Sequence, residues 1–287
     1  MGATIGVVGG SGLYDLEGLS DVREVTYETP WGPPSDALIH GHLDGVELVF
    51  LPRHGRGHRL LPTEVPYRAN VHALKQAGVG WLISVSAVGS LSEAIAPGHA
   101  VIVDQYIDRT RRRDSTFFGD GIVAHVAFGE PTCETLRGYL TRAAEAQDLV
   151  VHDGGTYVCM EGPAFSTRAE SELYRSWGAQ VIGMTALPEA KLAREASMSY
   201  ATLAFATDYD CWRRGHDDVT VEQVVAVLMA NVERARRVLI DLVPLVAAHG
   251  GPPPMHDALR DAIFTPPSAI GADVRARLGP ILAPYLE

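Results

Sequence analysis

Residues 53–58 read Arg-His-Gly-Arg-Gly-His, so two guanidinium and two imidazole groups fall within six positions. The segment directly follows the apolar run 46–51, which predicts a strand. Arg and His side chains at the carboxyl end of a strand suit the binding of an anion. The two glycines disfavour a helix that would bring both histidines onto one metal, and two arginines would repel a cation. The segment therefore indicates an anion site or a solvated basic loop, and we predict no metal.

Two carboxylates, Asp208 and Asp210, follow the apolar run 201–206. On an extended segment, residues i and i+2 point the same way. Paired acids in a partly dry cleft shift each other's pKa, so that one of them can stay protonated and donate a hydrogen bond. The alternative is a solvated turn, where most Asp residues are found.

Small and hydroxyl-bearing residues mark further candidate segments. The turn at 9–12, Gly-Gly-Ser-Gly, can wrap an anion with its backbone N–H groups or can be purely structural. It is not a dinucleotide-binding turn, because Asp15 stands where that fingerprint requires Gly, and the chain contains no P-loop motif. Residues 84–90 offer O–H donors, although such runs also serve close packing. Phe165 precedes a predicted helix and can stack on a flat ring or staple the helix start, and Thr185 follows a strand and can face a ligand.

Strands and helices alternate along the chain and position these segments. Apolar and β-branched runs predict strands at 4–8, 37–39, 46–51, 81–88, 100–107, 156–160, 180–184 and 201–206, with a hairpin across 43–45. Helical patterns occur at 63–76 with Thr63 as N-cap, at 132–147, at 167–177 with Ser166 or Thr167 as N-cap, at 188–197 and at 220–248. The alternation predicts an α/β fold with a mixed, mostly parallel central sheet flanked by helices. Four candidate segments then lie at carboxyl ends of strands, where open α/β sheets bind ligands.

One domain is predicted over residues 1–248. The longest helical run ends at 249–254, His-Gly-Gly-Pro-Pro-Pro, which breaks the helix. Residues 249–287 are predicted to form a Pro-rich C-terminal extension with one short helix at about 272–282. We expect this extension to pack on the body of the domain or on a neighbouring subunit.

The composition excludes several classes of protein. Of the 287 residues, 46% are apolar and 21% are charged, as in an ordinary globular protein. The formal net charge of −11 argues against nucleic acid as a partner, and no run of roughly 18 apolar residues predicts a membrane span. Cys133, Cys159 and Cys211 form neither a zinc motif nor a disulfide framework. Because the N-terminus also lacks the basic start of a secretory signal, we expect a cytoplasmic protein.

Six stretches together resemble the purine nucleoside phosphorylase family, and within it the members that act on S-methyl-5′-thioadenosine. The stretches are Ile-Gly-Val-Val-Gly-Gly-Ser-Gly-Leu at 5–13, Pro-Ser-Asp-Ala-Leu-Ile at 34–39, Arg-His-Gly-Arg at 53–56, Asp-Gln-Tyr-Ile-Asp-Arg-Thr at 104–110, Glu-Gly-Pro with Phe at 161–165, and Ala-Thr-Asp-Tyr-Asp-Cys-Trp at 206–212. They occur in the family's order and cover about residues 4–248. Their joint occurrence is far more specific than any one motif.

The resemblance implies where each part of a nucleoside and a phosphate would bind. Phosphate would be held by Ser11, Arg53, His54, Ser86, the backbone N–H of Ala87 and Thr185. The ribose would lie near Met184, and the purine would lie against Phe165 and Ile182, with Asp208 and Asp210 at its edge. An apolar 5′ pocket would come from Val221, Val224 and Val225, and His125 would come from a neighbouring subunit, because the family is typically homotrimeric.

The resemblance also implies a reaction. Phosphate would attack C1′ of a 5′-modified adenosine and release adenine, with Arg53 and His54 holding the phosphate and Asp208 in its acid form stabilising the base. Inorganic phosphate would be a co-substrate, and no metal or organic cofactor is implied. Gly183 stands where animal enzymes of this type carry Asn, and Gly-Met-Thr also occurs in relatives that prefer 6-oxopurine nucleosides. We give the carboxylate pair more weight, because it would touch the base edge.

Other functions stay open on the sequence. The chain could be a 5′-halo-5′-deoxyadenosine phosphorylase of a halometabolite pathway, since apolar pockets discriminate small groups by only about 1–3 kcal/mol. It could also be a 6-oxopurine nucleoside or methylthioinosine phosphorylase, or a non-catalytic purine nucleoside binding protein. Phosphate-dependent release of the base separates the enzymes from the binding protein.

Overall fold

The structure is a computed structural model that describes residues 3–10, 12–213 and 221–286, apart from the side chains of residues 221–226 and 228. The described strands are β1 (Thr4–Gly9), β2 (Ser20–Val25), β3 (Leu38–Leu43), β4 (Val46–Pro52), β5 (Trp81–Ser90), β6 (Ala100–Val103), β7 (Gln105–Arg109), β8 (Val151–Asp153), β9 (Thr156–Met160), β10 (Val181–Gly183) and β11 (Ser199–Asp208). The α-helices are α1 (Tyr67–Gln76), α2 (Glu134–Glu145), α3 (Arg168–Ser176), α4 (Ala186–Glu195), α5 (Val221–Ala247), α6 (Ala272–Arg277) and α7 (Gly279–Leu282).

All of these strands belong to one sheet that branches at β5. The main path is β2-β3-β4-β1-β5-β10-β9-β7, and β11 also pairs with β5 and leads on to β6 and β8. Of the ten strand pairings in the described residues, six are parallel and four are antiparallel. The predicted α/β fold with a mixed, mostly parallel central sheet is confirmed.

Helices cover both faces of the sheet, and the alternation of side chains along β1 shows how. Val8 packs in a core cluster with Leu74 of α1 on one face. Val7 points to the other face, where it packs in a cluster with Leu136 of α2 and Leu239 of α5. None of the described helices combines the length and the apolar content needed to cross a bilayer.

Most strands match the prediction, with small shifts in their bounds. The predicted hairpin is β3–β4, and Asp44 (φ 50°) and Gly45 (φ 78°) supply the left-handed backbone of its turn. The run 100–107, predicted as one strand, is two strands that pair with different neighbours. They separate at Asp104, whose carboxylate accepts the Gly155 N–H at 2.8 Å. β2 was not predicted, because its residues are mostly exposed and carry no apolar run.

Helix starts follow local side-chain chemistry. Of the two residues predicted as the N-cap of α3, Thr167 is the one that caps it, in a reciprocal capping box with Glu170. α1 begins at Tyr67, so the prediction of Thr63 as its N-cap is wrong. Pro66 disfavours helical backbone at the residue before it, which prevents the helix from starting earlier. Thr63 instead donates a hydrogen bond to Glu161 Oε1 at 2.8 Å.

Residues 259–286 pack on the face that carries α1 and α4, whereas His249 and Met255 pack on the face that carries α2 and α5. Leu259, Val274 and Leu278 are buried in the same core cluster as residues of those helices. Ile263 forms an isolated antiparallel bridge with Ala124. The structure has two short helices, α6 and α7, where the sequence predicts one.

His72 of α1 makes folding sensitive to acid. Its side chain is 2% exposed, and its ring lies edge-on to Trp31 with centroids 5.1 Å apart. Burial lowers the pKa of His72 from 6.5 to about 4. The unfolded chain therefore gains the proton first, so the stability that His72 contributes is complete above pH 6.5 and falls between pH 6.5 and 4 by about 3 kcal/mol.

We expect the variant His72→Phe to reduce this acid dependence. The loss in free energy of unfolding from about pH 7.5 to about pH 4.5 should shrink by roughly 2–3 kcal/mol relative to the parent. Urea unfolding at both pH values measures it, with His256→Asn as the control because His256 is exposed. An unchanged pH dependence in His72→Phe would show that His72 is not the responsible group.

Candidate active site

Strand β5 runs between the two groups of residues that the sequence singles out. Near its middle, the carbonyl of Val85 accepts a hydrogen bond from Arg53 Nη1 at 3.3 Å. Near its end, Gly89 lies against Ile182 and Asp208. Gly89 lies four residues further along the extended strand than Val85, which is roughly 13 Å. One strand therefore joins a basic end and a carboxylate end of the candidate site.

The carboxylate end closes around Gly89. A Cβ atom at this position would lie 3.1 Å from Ile182 Cγ2, 3.2 Å from Asp208 Oδ1 and 3.4 Å from Asp210 Cβ. The structure thus brings together three residues that the sequence analysis expects at the purine. Any side chain at residue 89 would compete with them for space.

Asp208 and Asp210 interact directly. Asp208 Oδ2 accepts the Thr207 hydroxyl at 2.7 Å, and Oδ1 accepts the backbone N–H of Asp210 at 2.7 Å. Asp210 has a left-handed φ of 50°, which Asp tolerates better than most residues. Burial raises the pKa of Asp210, and the charge of Asp208 adds to the effect. Asp210 can therefore hold a proton at a higher pH than a solvated Asp.

The loop that carries Phe165 is tied to the turn that follows Asp208. Phe165 is 84% exposed, in the loop between β9 and α3. Cys211 Sγ donates to the carbonyl of Ser166 at 3.2 Å, and Arg168 Nε donates to the carbonyl of Cys211 at 3.3 Å. These bonds tie the loop to the turn that holds Asp210, which leaves an aromatic ring available to a planar ligand.

Met184 lies on the chain between Ile182, which is close to Gly89, and Thr185, the N-cap residue of α4. Its sulfur atom would be 2.5 Å from a Cβ at Gly162, which starts the loop that carries Phe165. Gly162 has a φ of 69°, so both the backbone conformation and the packing require glycine there.

Arg53 is buried and is paired with Glu189 of α4, which the sequence analysis does not single out. Arg53 Nε donates to Glu189 Oε2 at 2.8 Å, and Nη2 donates to Oε1 at 3.2 Å. Nη2 also donates to Ser84 Oγ at 2.6 Å and to the Val8 carbonyl at 3.2 Å. Burial opposes the charge of Arg53, but the Glu189 carboxylate outweighs it and raises the pKa of the guanidinium. Among the described residues, Nη1 has a single acceptor for its two hydrogens, so Nη1 can still donate to a ligand.

Other polar groups at the basic end are available to a ligand. Ser86 Oγ is buried and has no hydrogen-bond partner among the described residues. An unpaired buried hydroxyl costs roughly 1–3 kcal/mol, which a bound oxyanion would recover. Ala87 is exposed between buried Ser86 and Val88, so this part of β5 borders open space. Thr185 is the N-cap residue of α4, and its side chain makes no capping hydrogen bond.

His54 is neutral and presents an acceptor. Its Nδ1 lies 2.8 Å from the carbonyl of Leu60, which can only accept, so Nδ1 carries the hydrogen and Nε2 a lone pair. Burial lowers the pKa of His54 to about 4, and the nearby charge of Arg53 acts in the same direction. The sequence analysis treats His54 as a donor to an anion. In the structure it can instead accept a hydrogen bond from a protonated anion oxygen.

His125 packs against the C-terminal extension. Its backbone N–H donates to the Ala262 carbonyl at 2.9 Å, and its ring lies 5.1 Å from that of Phe264, which is 69% exposed. Within the described part of the chain, no hydrogen bond or ring contact joins His125 to the residues around Gly89. The remaining predicted positions, Ser11 and the side chains of Val221, Val224 and Val225, lie outside the described residues.

Gly183 is explained by Tyr157, a further residue that the sequence analysis misses. A Cβ at residue 183 would lie 2.0 Å from Tyr157 Oη, 2.7 Å from Tyr157 Cζ and 3.3 Å from Val88 Cγ1. Tyr157 is fully buried in β9, and its phenol fills the volume that a side chain at 183 would need. The departure from Asn noted in the sequence is therefore a packing requirement of this chain.

A family model described as the phosphorylase superfamily matches residues 4–244. Together with the branched α/β sheet and the site along β5, this match shows that the chain belongs to the phosphorylase superfamily. The family resemblance drawn from the sequence motifs is confirmed.

Individual relatives indicate which phosphorylases within this superfamily the chain is similar to. The S-methyl-5′-thioadenosine phosphorylase of Geobacter sulfurreducens is 56% identical over 287 residues, which cover 100% of both chains. A solved methylthioadenosine phosphorylase from an antarctic soil metagenomic library superposes with a TM-score of 0.94 at 50% identity, covering 98% of this chain and 99% of that one. The methylthioadenosine phosphorylase of Schistosoma mansoni in complex with adenine has a TM-score of 0.82 at 38% identity, covering 86% and 93% of the two chains.

Proposed function

We propose that the protein catalyses the phosphorolysis of S-methyl-5′-thioadenosine to adenine and 5-methylthioribose 1-phosphate. The observation that carries the proposal is the arrangement along β5, with the Arg53 and Ser86 donors at one end and the acids around Gly89 at the other. The relatives of known structure include one whose complex contains adenine. The enzyme is then a pentosyltransferase of the purine nucleoside phosphorylase type.

In the proposed reaction, an oxygen of inorganic phosphate forms a bond to C1′ as the bond from C1′ to purine N9 breaks. The bonding electron pair moves onto the base, which takes a proton at N7. The transition state carries positive charge on the sugar, and the bound phosphate is its charge partner. Holding phosphate and nucleoside in line supplies proximity, and fixed donors supply electrostatic stabilisation. No metal or organic cofactor takes part.

The basic end would bind the phosphate. Arg53 Nη1, the Ser86 hydroxyl, the Ala87 N–H and the Thr185 hydroxyl would donate to its oxygens, together with Ser11. His54 Nε2 would accept from the oxygen that carries the phosphate proton, because its other ring nitrogen is committed to Leu60. This arrangement selects hydrogen phosphate over fully deprotonated anions.

The carboxylate end would bind and protonate the base. The purine would lie against Phe165 and Ile182, with the ribose near Met184. An oxygen of one carboxylate would accept the adenine amino group, and Asp208 would donate the proton to N7. This assignment favours 6-aminopurines, because a carboxylate cannot donate to the oxygen of a 6-oxopurine.

The 5′ group would be bound between subunits. We propose a homotrimer in which His125 of one subunit reaches the 5′ pocket of the next, beside Val221, Val224 and Val225. The exposed rings of His125 and Phe264 support an interface on this surface. The mass of the assembly in solution tests the trimer.

A nucleoside panel tests the function. Base release should be measured for 5′-methylthio-, 5′-chloro- and unmodified adenosine and for the matching inosines, each with and without phosphate. We expect release of adenine from the methylthio compound only with phosphate, at the highest kcat/KM of the panel. Release without phosphate would indicate a hydrolase, and binding without release would indicate a binding protein. A preference for the chloro compound or for an inosine would move the assignment to another nucleoside phosphorylase.

A further inference from the structure

Arg113 links two segments of the proposed site. It follows β7, and its side chain is 1% exposed. Nη1 donates to the carbonyls of Met184 at 2.6 Å and Leu187 at 2.7 Å, and Nη2 donates to the carbonyl of Glu161 at 2.8 Å. Tyr67 Oη accepts from Nη1 at 3.1 Å. A buried guanidinium with several carbonyl acceptors fixes the relative positions of the chain segments that supply them.

The segment from Met184 to Leu187 needs such support. Leu187 lies inside α4 but has a φ of −121° and a ψ of 137°, which is extended backbone. The following residue, Pro188, disfavours helical backbone at Leu187. Residues 184–187 are therefore not a regular first turn of the helix, and Arg113 holds the carbonyls at both ends of this stretch.

The residues bracketed by Arg113 are those of the proposed site. Thr185 lies inside the stretch whose two end carbonyls Arg113 binds. The third carbonyl belongs to Glu161, at the start of the loop that carries Phe165. Glu161 is itself fixed, because its carboxylate accepts the Thr63 hydroxyl at 2.8 Å and the Arg111 N–H at 2.6 Å.

We propose that Arg113 is a positioning residue for the phosphorolysis, an inference that rests on the function proposed above. It holds the sugar- and phosphate-binding segment at a fixed place relative to the base-binding loop. The hydrogen bonds of the Arg113 guanidinium go to backbone carbonyls and to Tyr67, so we infer that it acts on the reaction by positioning these groups. A small displacement of a group that must be aligned for the reaction lowers the catalytic rate by a large factor.

Arg194 of α4 provides a matched control. It is also buried, at 8% exposure, and its guanidinium also donates to two backbone carbonyls, those of Ala127 and Glu130. It lies near the end of α4, and the carbonyls that it binds belong to neither of the two segments that Arg113 holds. Loss of Arg194 thus removes comparable hydrogen bonds without disturbing Met184.

The experiment compares Arg113→Gln, Arg113→Lys and Arg194→Gln in the full chain. With S-methyl-5′-thioadenosine and phosphate, we expect Arg113→Gln to lose roughly 10–100-fold in kcat, with smaller changes in KM. Arg113→Lys should recover part of this loss, because an ammonium can still donate to two of the carbonyls. Arg194→Gln should keep kcat within about threefold of the parent, although its melting temperature should fall by about as much as that of Arg113→Gln.

Hydrogen exchange of the same proteins without substrate tests the inference separately from the function. Exchange at residues 160–166 and 184–188 should rise in Arg113→Gln, rise less in Arg113→Lys and stay at the parental level in Arg194→Gln. Unchanged exchange in the Arg113 variants overturns the inference, whatever reaction the parent catalyses. Equal losses of kcat in Arg113→Gln and Arg194→Gln overturn it as well. If the parent itself releases no adenine with phosphate, the proposed function fails, and the exchange result still decides the role of Arg113.

Discussion

Replacing Asp208 by Asn is expected to lower kcat/KM for S-methyl-5′-thioadenosine about 10²–10⁴-fold, the range that a general acid contributes. Asp208 and Asp210 meet around Gly89, and in the proposed reaction Asp208 donates the proton that the leaving adenine needs. An amide at 208 keeps the shape of the side chain. It has no acidic proton to donate, and it offers only one oxygen, instead of two, to accept a hydrogen bond from the amino group. The rate should therefore fall more than the affinity for the nucleoside.

Initial rates with saturating phosphate measure this effect, for both 5′-methylthioadenosine and 5′-methylthioinosine. The ratio of the two rates should move toward the inosine, because an amide can donate to O6. Asp153→Asn is the control, since Asp153 lies on β8 in an exposed pair with Arg137 at 3.1 Å. Full activity of Asp208→Asn on the adenosine substrate would falsify the assignment of the acid.

Replacing Glu189 by Gln is expected to lower the free energy of unfolding by roughly 3–5 kcal/mol, the cost of leaving a buried charge without its partner. Glu189 and Arg53 are 2% and 3% exposed, and two hydrogen bonds join them. Gln has nearly the volume of Glu but leaves the guanidinium charge uncompensated. The KM for phosphate should also rise, because Arg53 loses the partner that fixes its orientation.

Urea unfolding of Glu189→Gln and of Glu172→Gln compares the loss of a buried ion pair with the loss of an exposed ion pair. Glu172 is half-exposed beside Arg175, and its loss should change the free energy of unfolding by less than about 0.5 kcal/mol. The double variant Arg53→Met with Glu189→Met should regain most of the stability, since apolar side chains can replace a buried ion pair, but it should not regain phosphate use. A Glu189→Gln protein with the parental unfolding midpoint contradicts the prediction.

Strand ends were predictable because local patterns mark them. The apolar runs before the glycine turn at 9–12, before Arg53 and before Asp208 are β1, β4 and β11, and each ends within a few residues of its predicted limit. The clustering of Ile182, Asp208 and Asp210 then follows from the rule that ligands bind at such ends. Thr63 failed as a cap because the effect of Pro66 outweighed its side-chain propensity.

The residues missed by the sequence analysis act through distant partners. Glu189 lies 136 positions from Arg53, and nothing local to either residue specifies the ion pair. A carboxylate just after Pro188 in an otherwise apolar helix start was a signal, because such a charge needs a buried partner. Arg113 lies in a basic run, Arg-Arg-Arg at 111–113, that gives no indication of which arginine turns inward. Only the folded chain, which buries the third, distinguishes them.

The contact between Gly183 and Tyr157 also constrains how this chain can change by mutation. A Cβ at 183 would lie 2.0 Å from the phenol oxygen and 2.7 Å from Tyr157 Cζ, so a side chain at 183 requires Tyr157 to be displaced or replaced by a smaller residue. A substitution at 183 alone should therefore be poorly tolerated, whereas one that accompanies a smaller residue at 157 should be accepted. Homologous sequences should accordingly contain the two positions in matched combinations.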